Sequence, residues 1–272
     1  MACLDGLSRV CYPNLTPIVV DNASTDESLF RIRSSHPRTT VIESGGNIGF
    51  AAGNNVGIRQ AIAAGFDYVW LLNNDTVPDP GSLQELVRKA ESDRRLGAVG
   101  SVLYYADSPE VIQAWGGGKV WTLFGYAEHA VAAKPDDWFD YLTAASMLVR
   151  REAIQDAGLL DERFFLYWED TEFGFRLRRR NWKLGVASGS KVLHRENGST
   201  EGKANVRACH FTASGIRFLS AVAEHPWLSI TLFVFLRTIK SLLTGHWKKL
   251  FYIAQGVQCA IVRTKDRATS SL

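Results

Sequence analysis

A short apolar segment that ends abruptly in polar residues constrains the fold of this chain more than any other feature. Tyr68–Leu72 reads Tyr-Val-Trp-Leu-Leu, without a charged residue, and is typical of a strand buried on both faces of a sheet. Asn73, Asn74 and Asp75 follow at once. Open α/β sheets bind ligands at the carboxyl ends of their parallel strands, and these side-chain oxygens suit a hard cation such as Mg²⁺ or Mn²⁺, held jointly with a phosphate. Taken alone, the same residues favour an Asx-rich turn at a strand end.

Strands and helices alternate on both sides of this segment. Strands are predicted at 17–21, 39–43, 68–72 and 97–105, with helices at 2–10, at 25–35, up to Gly65, and from 80 onward. This alternation predicts an α/β fold with a doubly wound, mostly parallel sheet. Two helix starts are specified by their residues: Ser24–Glu27 matches a capping box, and Asp79 is placed to cap the helix after the strand at 68–72.

The second half departs from this rhythm. Residues 114–133 are rich in glycine and aromatic residues and predict a mobile loop with a hairpin, in which Gly116–Gly118 would give a lid its hinge. Strand-like runs at 141–150 and 183–194 and helices at 151–157 and 171–180 follow. We predict a sheet domain over residues 1–205 and a helical tail over residues 206–272.

The tail carries an apolar run with basic residues beside it. Trp227–Leu236 is ten residues long before Arg237 and Lys240 interrupt it, whereas roughly 20 are needed to cross a bilayer. Together with Trp247 and the lysines next to it, this pattern fits a segment lying on an anionic membrane surface. A helix packed on the sheet domain explains it equally well.

The composition of the chain limits which partners and which cellular compartment are expected. The net charge of +3 is too small to indicate nucleic acid as a partner. The four cysteines show neither metal-type pairing nor a disulfide framework, which favours a reducing compartment. No apolar signal-peptide core follows Met1, so a cytoplasmic location is expected.

Polar clusters also follow the two preceding predicted strands. Asp21, Asn22 and Ser24 follow the first, and a carboxylate there can accept the imide N–H of uracil or thymine. Gly46 and Asn47 lie in a glycine turn that opens a helix and allows close approach to a nucleotide. The turn does not match the Gly-x-Gly-x-x-Gly fingerprint, so we do not expect a dinucleotide cofactor. Singly these are ordinary turn residues, but three clusters at successive strand ends predict one site.

Glu169 and Asp170 form a fourth polar cluster, at the start of a predicted helix. Acids at this position are usually favourable partners of the helix dipole and nothing more. Here an aromatic run, 164–168, precedes them and could wall a pocket that raises a carboxylate pKa, as a general base requires. His194 ends the last predicted strand, where a histidine is either structural or a contact to metal or phosphate.

Four motifs resemble those of family 2 glycosyltransferases of the GT-A fold, especially the rhamnosyltransferase-like branch that builds bacterial surface polysaccharides. The motifs occur in register over roughly residues 5 to 200 and lie at 19–26, 46–55, 71–75 and 164–170. By this resemblance Asp21 contacts the nucleotide base, Asp75 is the last acid of the Asp-x-Asp metal motif, and Asp170 is the catalytic base of the Glu-Asp motif. His194 matches a histidine often found after the last strand. The remaining implied donor-binding residues are Asn22, Ser24, Gly46, Asn47, Asn54, Asn73 and Asn74, with Asn73 replacing the first acid of the metal motif.

The resemblance implies an inverting transfer of a sugar, rhamnose or another hexose, from a dTDP-, UDP- or GDP-linked donor. The implied acceptor is a cell-surface polysaccharide or a lipid-linked glycan, reached in the cytoplasm or at the inner face of the cell membrane. A divalent cation, Mg²⁺ or Mn²⁺, assists departure of the diphosphate.

One departure from the family pattern keeps a second function open. These enzymes open with a strand before the first helix, whereas this sequence opens at that helix, so we expect the strands ending at Asp21 and Asn73 to lack a shared neighbour. The alternative function is therefore a catalytically silent subunit that binds sugar nucleotide or glycan. The third candidate is a nucleotidyltransferase. Such an enzyme needs a basic glycine-rich loop near the N-terminus, and the sequence has none there.

Overall fold

The computed structural model describes residues 1–195 and 204–268. Its helices are α1 (Ala2–Leu7), α2 (Ser28–Ser35), α3 (Phe50–Ala63), α4 (Ser82–Ser92), α5 (Arg151–Ala157), α6 (Glu169–Arg179), α7 (Ala204–Val222), α8 (Pro226–Leu243) and α9 (Trp247–Ala268). Its strands are β1 (Ile18–Asp21), β2 (Thr40–Glu43), β3 (Tyr68–Leu72), β4 (Thr76–Pro78), β5 (Leu96–Tyr105), β6 (Ser108–Trp115), β7 (Gly117–Trp121), β8 (Tyr126–His129), β9 (Tyr141–Leu142), β10 (Ser146–Arg150) and β11 (Lys183–His194). The predicted α/β fold with a C-terminal helical tail is confirmed. The boundary predicted near residue 205 stays a prediction.

The main sheet has six strands in the order β3-β10-β5-β11-β4, with β6 beside β5. Strand β5 pairs with β11 in parallel, but β10 lies antiparallel between β3 and β5. The large sheet is thus mixed rather than mostly parallel. The chain reaches β9 and β10 from the β7–β8 hairpin and not through a crossover helix. A parallel β10 would need such a crossover, whereas an antiparallel one does not.

A cleft separates the first two strands from this sheet. β1 and β2 form a parallel two-stranded sheet of their own, and β3 is an edge of the main sheet, so within the described residues β1 and β3 share no neighbour. This confirms the expectation for the strands ending at Asp21 and Asn73. Both strands line one cleft of about 1570 Å³. Because that cleft is open, β3 is not buried on both faces as predicted, and only Leu71 of its five residues is buried.

Two predicted helix starts are wrong. α2 begins at Ser28 without a capping box, since Asp26 instead accepts a hydrogen bond from the Ser28 backbone N–H at 3.0 Å. α4 begins at Ser82 without a side-chain cap, and the Asp79 backbone N–H donates to Lys191 O at 3.0 Å. The chain after Asp75 first forms β4, which pairs with β11, so the helix starts later than its local residues suggested.

The glycine-rich segment forms sheet rather than a hinged lid. β7 and β8 form the predicted hairpin, and β9 extends it to a three-stranded sheet. A Cβ at Gly117 would lie 1.9 Å from Tyr141 O, and one at Gly118 would lie 2.0 Å from Glu128 O. These two glycines therefore allow strands to approach closely, and we assign them no hinge role.

Helices of the tail pack on the segment that leads into α6. Trp168 is buried against Phe218 of α7 in a stacked pair, with ring centroids 4.9 Å apart, and meets Phe233 of α8 edge-on at 6.3 Å. Phe164, Leu219 and Phe233 belong to the same buried cluster. Inward-facing residues of the tail therefore complete the core beside Glu169 and Asp170.

Candidate active site

The predicted polar residues meet in the cleft that separates β1 from β3. All but one line this cleft: Asp21, Asn22, Ser24, Asn47, Asn54, Asn73, Asn74, Asp75, Glu169, Asp170 and His194. Gly46 is the exception, and a Cβ added there would meet open space. Elements far apart in the sequence thus converge because the strand ends face the same cleft.

Asp75 and His194 are the pair best placed to hold a cation. Thr76, which follows Asp75, pairs with His194 across β4 and β11, and the Arg195 backbone N–H donates to Asp75 O at 2.9 Å. His194 Nε2 lies 3.4 Å from Asp75 Oδ1, but this contact is not a hydrogen bond, and buried Oδ1 has no hydrogen-bond partner among the described residues. An unpartnered buried carboxylate oxygen beside an imidazole nitrogen fits a hard cation.

The second nitrogen of His194 meets a residue that the sequence analysis missed. Gln113 Oε1 lies 2.6 Å from His194 Nδ1, so Nδ1–H donates to the amide oxygen and Nε2 faces Asp75. Gln113 lies on β6, for which the sequence predicted no strand, since the predicted loop begins only at residue 114. No local pattern marks Gln113, since its role depends on the pairing of β6 with β5.

These two residues do not form a complete metal site. The residues that the structure describes include no group of three or more His, Cys, Asp or Glu side chains placed to hold a metal ion. Asp75 and His194 fit a cation that takes its remaining ligands from a diphosphate and water, as Mg²⁺ commonly does.

Asn22 joins the end of β1 to the glycine turn before α3. Its Nδ2 donates to Gly49 O at 3.1 Å, and its Oδ1 accepts from the Ile48 backbone N–H at 2.9 Å. Asp21 is buried, and its carboxylate accepts from the Ser24 backbone N–H at 3.2 Å. The Asn22 amide thus holds the glycine turn against the end of β1, which is a structural use of a residue predicted to bind the donor.

Gly49 shows what the glycine turn requires. Its φ is +89°, and a Cβ there would lie 2.6 Å from Phe165 O, which also accepts the Phe50 backbone N–H at 2.7 Å. The turn therefore contacts the aromatic run before Glu169 directly, and a side chain at this position would force the two segments apart.

The acidic pair starts α6 after two residues in the left-handed region. Tyr167 has φ 68° and Trp168 has φ 69°, which is strained for aromatic residues. The packing of Trp168 against Phe218 maintains this conformation. The strain turns the chain so that Asp170 reaches the loop before β10, where its Oδ2 accepts the Ala144 backbone N–H at 3.2 Å.

The two carboxyls differ in their environment. Burial raises the pKa of Glu169 well above its ordinary value, the charge of Asp170 raises it further, and Glu169 Oε2 has no hydrogen-bond partner among the described residues. Burial also raises the pKa of Asp170, but N–H donors from Ala144 and Thr171 and the nearby His129 oppose this rise. More donors stabilise the charged form at Asp170 than at Glu169, so the environment favours the charge on Asp170 over the charge on Glu169.

His129 and Tyr141 are further site residues that sequence reasoning missed. Both line the cleft, and Tyr141 Oη lies 3.1 Å from His129 Nδ1. The three-stranded sheet of β7, β8 and β9 brings them to Asp170. The only sequence signal there is the pattern that predicts a hairpin, and this pattern does not identify which side chains face the cleft.

Comparison with known proteins assigns the family. The family model described as "Glycosyl transferase family 2" matches residues 2–158. N-acetylglucosaminyl-diphospho-decaprenol L-rhamnosyltransferase of Mycobacterium tuberculosis is 28% identical over 225 residues, covering 72% of each chain. The O-antigen biosynthesis protein RfbC of Myxococcus xanthus is 28% identical over 82% of this chain, which spans only 18% of that protein. Low-salt glycan biosynthesis hexosyltransferase Agl10 of Haloferax volcanii is 30% identical, over 66% of this chain and 58% of its own length.

Solved structures support the same fold. GalNAc-T7 with UDP, GalNAc and Mn²⁺ superimposes with a TM-score of 0.65 at 14% identity, covering 82% of this chain and 45% of that one. The mannosyltransferase PcManGT from Pyrobaculum calidifontis, in complex with GDP-Man and Mn²⁺, gives a TM-score of 0.58 at 17% identity, over 99% of this chain and 75% of its own. The chain therefore belongs to the family 2 glycosyltransferases and has the GT-A fold.

Proposed function

We propose that this glycosyltransferase is an inverting, metal-dependent enzyme that moves rhamnose or another hexose from a dTDP-, UDP- or GDP-linked donor. The observation that carries the proposal is the convergence of Asp21, the Asp75–His194 pair and Asp170 in one cleft. The proposed acceptor is a cell-surface polysaccharide or a lipid-linked glycan at the inner face of the cell membrane. The name of the mycobacterial relative, which includes a decaprenol-linked acceptor, supports this choice.

In this proposal Asp75 and His194 hold Mg²⁺ or Mn²⁺. When bound, the cation would neutralise charge that develops on the departing diphosphate. Gln113 keeps the proton of His194 on Nδ1, which leaves Nε2 available as a ligand. Asp21 faces the part of the cleft proposed to hold the nucleotide base.

Asp170 is proposed to act as the base. Its carboxylate takes the proton of an acceptor hydroxyl while that oxygen forms a bond to the anomeric carbon of the donor. The bond from this carbon to the diphosphate breaks on the opposite face, and the configuration inverts. Burial and the charge of Asp170 favour the protonated form of Glu169, and in that form it does not compete for the acceptor proton.

The alternative is a subunit that binds sugar nucleotide without transferring it. The specific observation in its favour is the open cleft between β1 and β3, since β1 carries the proposed nucleotide contact at Asp21. A panel of UDP-, dTDP- and GDP-sugars with Mn²⁺ distinguishes the two functions. Slow hydrolysis to the nucleoside diphosphate indicates a transferase, and binding without turnover indicates the silent subunit.

We expect Asp75→Asn to abolish the Mn²⁺-dependent increase in donor affinity and to leave the fold intact, because the amide keeps the shape but loses the charge. The measurement is donor affinity by calorimetry with and without Mn²⁺. The matched control is Asp137→Asn, an exposed carboxylate that does not line the cleft. An unchanged Mn²⁺ increment in the Asp75 variant would rule out this residue as a ligand.

Glu169→Gln should stabilise the protein at neutral pH. The pKa of Glu169 is higher in the folded protein than its value of 4.5 in the unfolded chain. Below pH 4.5 the residue therefore costs no folding stability, and as the pH rises from there toward the folded-state pKa the free energy of unfolding falls. Glutamine has no charged form and escapes this penalty. We expect the melting temperature of the variant to exceed that of the wild type at pH 7 and the difference to vanish near pH 4. A constant difference across this range would contradict a raised pKa.

A further inference from the structure

α8 has an outward face made almost entirely of large apolar side chains. These residues recur at helical spacing along one side of α8, and the structure leaves all of them exposed. They are Trp227, Leu228, Phe235, Leu236, Ile239, Leu242 and Leu243. Trp227 is 85% exposed and Leu243 is 83% exposed. An apolar stripe of this length is rarely left open to water on a soluble protein.

The opposite face of α8 packs against the rest of the protein. Phe233 is buried against Trp168, and the Arg237 guanidinium lies 4.5 Å from the ring centre of Phe211 and 5.5 Å from that of Phe233. Burial lowers the pKa of Arg237 to about 10. Arg237 therefore points inward, which corrects its assignment to a basic membrane-facing cluster. Because α8 is held through Phe233 and Arg237, it cannot rotate to hide its apolar stripe.

Basic and aromatic residues border this stripe where α8 turns into α9. Lys240, Lys248 and the two aromatic residues Trp247 and Phe251 are exposed there. The sequence contains no acidic residue between Glu224 and Asp266. The segment that forms α8 and the start of α9 therefore carries positive charge and no carboxylate of its own, which complements an anionic bilayer.

By length and composition, α8 is also the one helix in the described part of the chain that could cross a membrane, with 18 residues and a mean hydropathy of 1.3. Crossing would pull Phe233 away from Trp168 and place Arg237 in hydrocarbon, where a charge is costly. Lying in the plane of the membrane surface keeps both contacts and buries only the open stripe.

We propose that the outward face of α8, with the basic turn into α9, docks in the plane of an anionic bilayer surface. The docking rests on α8 and α9 alone. One consequence rests on the proposed function: since Phe233 packs on Trp168, docking brings a lipid-linked acceptor toward Asp170.

Flotation with vesicles tests this docking. The full chain is mixed with phosphatidylcholine vesicles with or without phosphatidylglycerol, and we expect it to float with the anionic vesicles only. A variant combining Phe235→Ser, Ile239→Ser and Leu242→Ser should bind at least about tenfold more weakly, because it removes apolar surface from the stripe. Phe30→Ser is the matched control, since Phe30 is 73% exposed and lies on α2, and it should bind like the wild type. Replacing Lys240, Lys248 and Lys249 by Gln should remove the salt-sensitive part of binding.

Three outcomes would overturn the docking. The first is equal vesicle binding by the triple serine variant. The second is a wild-type dimer that does not float and that the triple variant converts to a monomer, because the stripe then binds a second copy. The third is that the vesicle-bound protein resists extraction at alkaline pH, which would mean that α8 spans the bilayer. Donor hydrolysis without vesicles tests the proposed function separately, and melting curves confirm that each variant is folded.

Discussion

Asp170→Asn is expected to lower sugar transfer by about 10²-fold or more while donor binding stays within the range of the wild type, the scale on which removal of a general base acts. The asparagine keeps the shape of the side chain, and its one amide oxygen can accept from either Ala144 or Thr171, but it cannot take the proton of the acceptor hydroxyl. Initial rates of transfer and donor affinity measured by calorimetry separate these two effects.

Glu169→Gln is the matched control for this change. Since burial and the charge of Asp170 favour the protonated form of Glu169, glutamine mimics that form, and transfer near neutral pH should be largely retained. The raised pKa of Asp170 should place the acidic limb of the rate–pH profile above the ordinary aspartate value of 3.8. If Glu169→Gln is more damaging than Asp170→Asn, the base has been assigned to the wrong neighbour.

Filling the cleft between β1 and β3 is the second change with a large expected effect. Met1 and Leu4 line the same cleft, so about ten apolar, β-branched residues added ahead of Met1, a typical strand plus a turn, can reach it. Such a segment would pair with two open backbone edges and cover the half-buried side chains of both strands. A net gain of about 3 kcal/mol would raise the melting temperature by about 6–12 °C.

The matched control for this extension has the same length but consists of glycine and serine, which cannot supply apolar burial. Melting temperature, size in solution and donor hydrolysis are measured for the extended, control and unextended chains. We expect only the apolar extension to raise stability and to increase hydrolysis. If the unextended chain is already monomeric and as stable and active as the extended one, the cleft does not need a strand.

Short-range patterns predicted much of this protein. β3 and β11 have the predicted bounds, because apolar runs that stop at polar residues specify strands and their ends. The same strand ends identified Asp21, Asp75 and His194, which the structure brings to one cleft. That step needed only the rule that strand ends of an α/β sheet gather on one side.

Tertiary structure decided what depends on pairing between distant segments. The antiparallel insertion of β10, the start of α4 after β4, and the contact of Gln113 with His194 all follow from which strand lies beside which. The inward direction of Arg237 depends on packing against Phe211 and Phe233, although the tail sequence alone suggested a basic surface residue. Local residues thus determined the bounds of β3 and β11 and the polar groups that end these strands. The partners of those groups were decided only when the chain packed, because burial and contact energies arise between residues far apart in sequence.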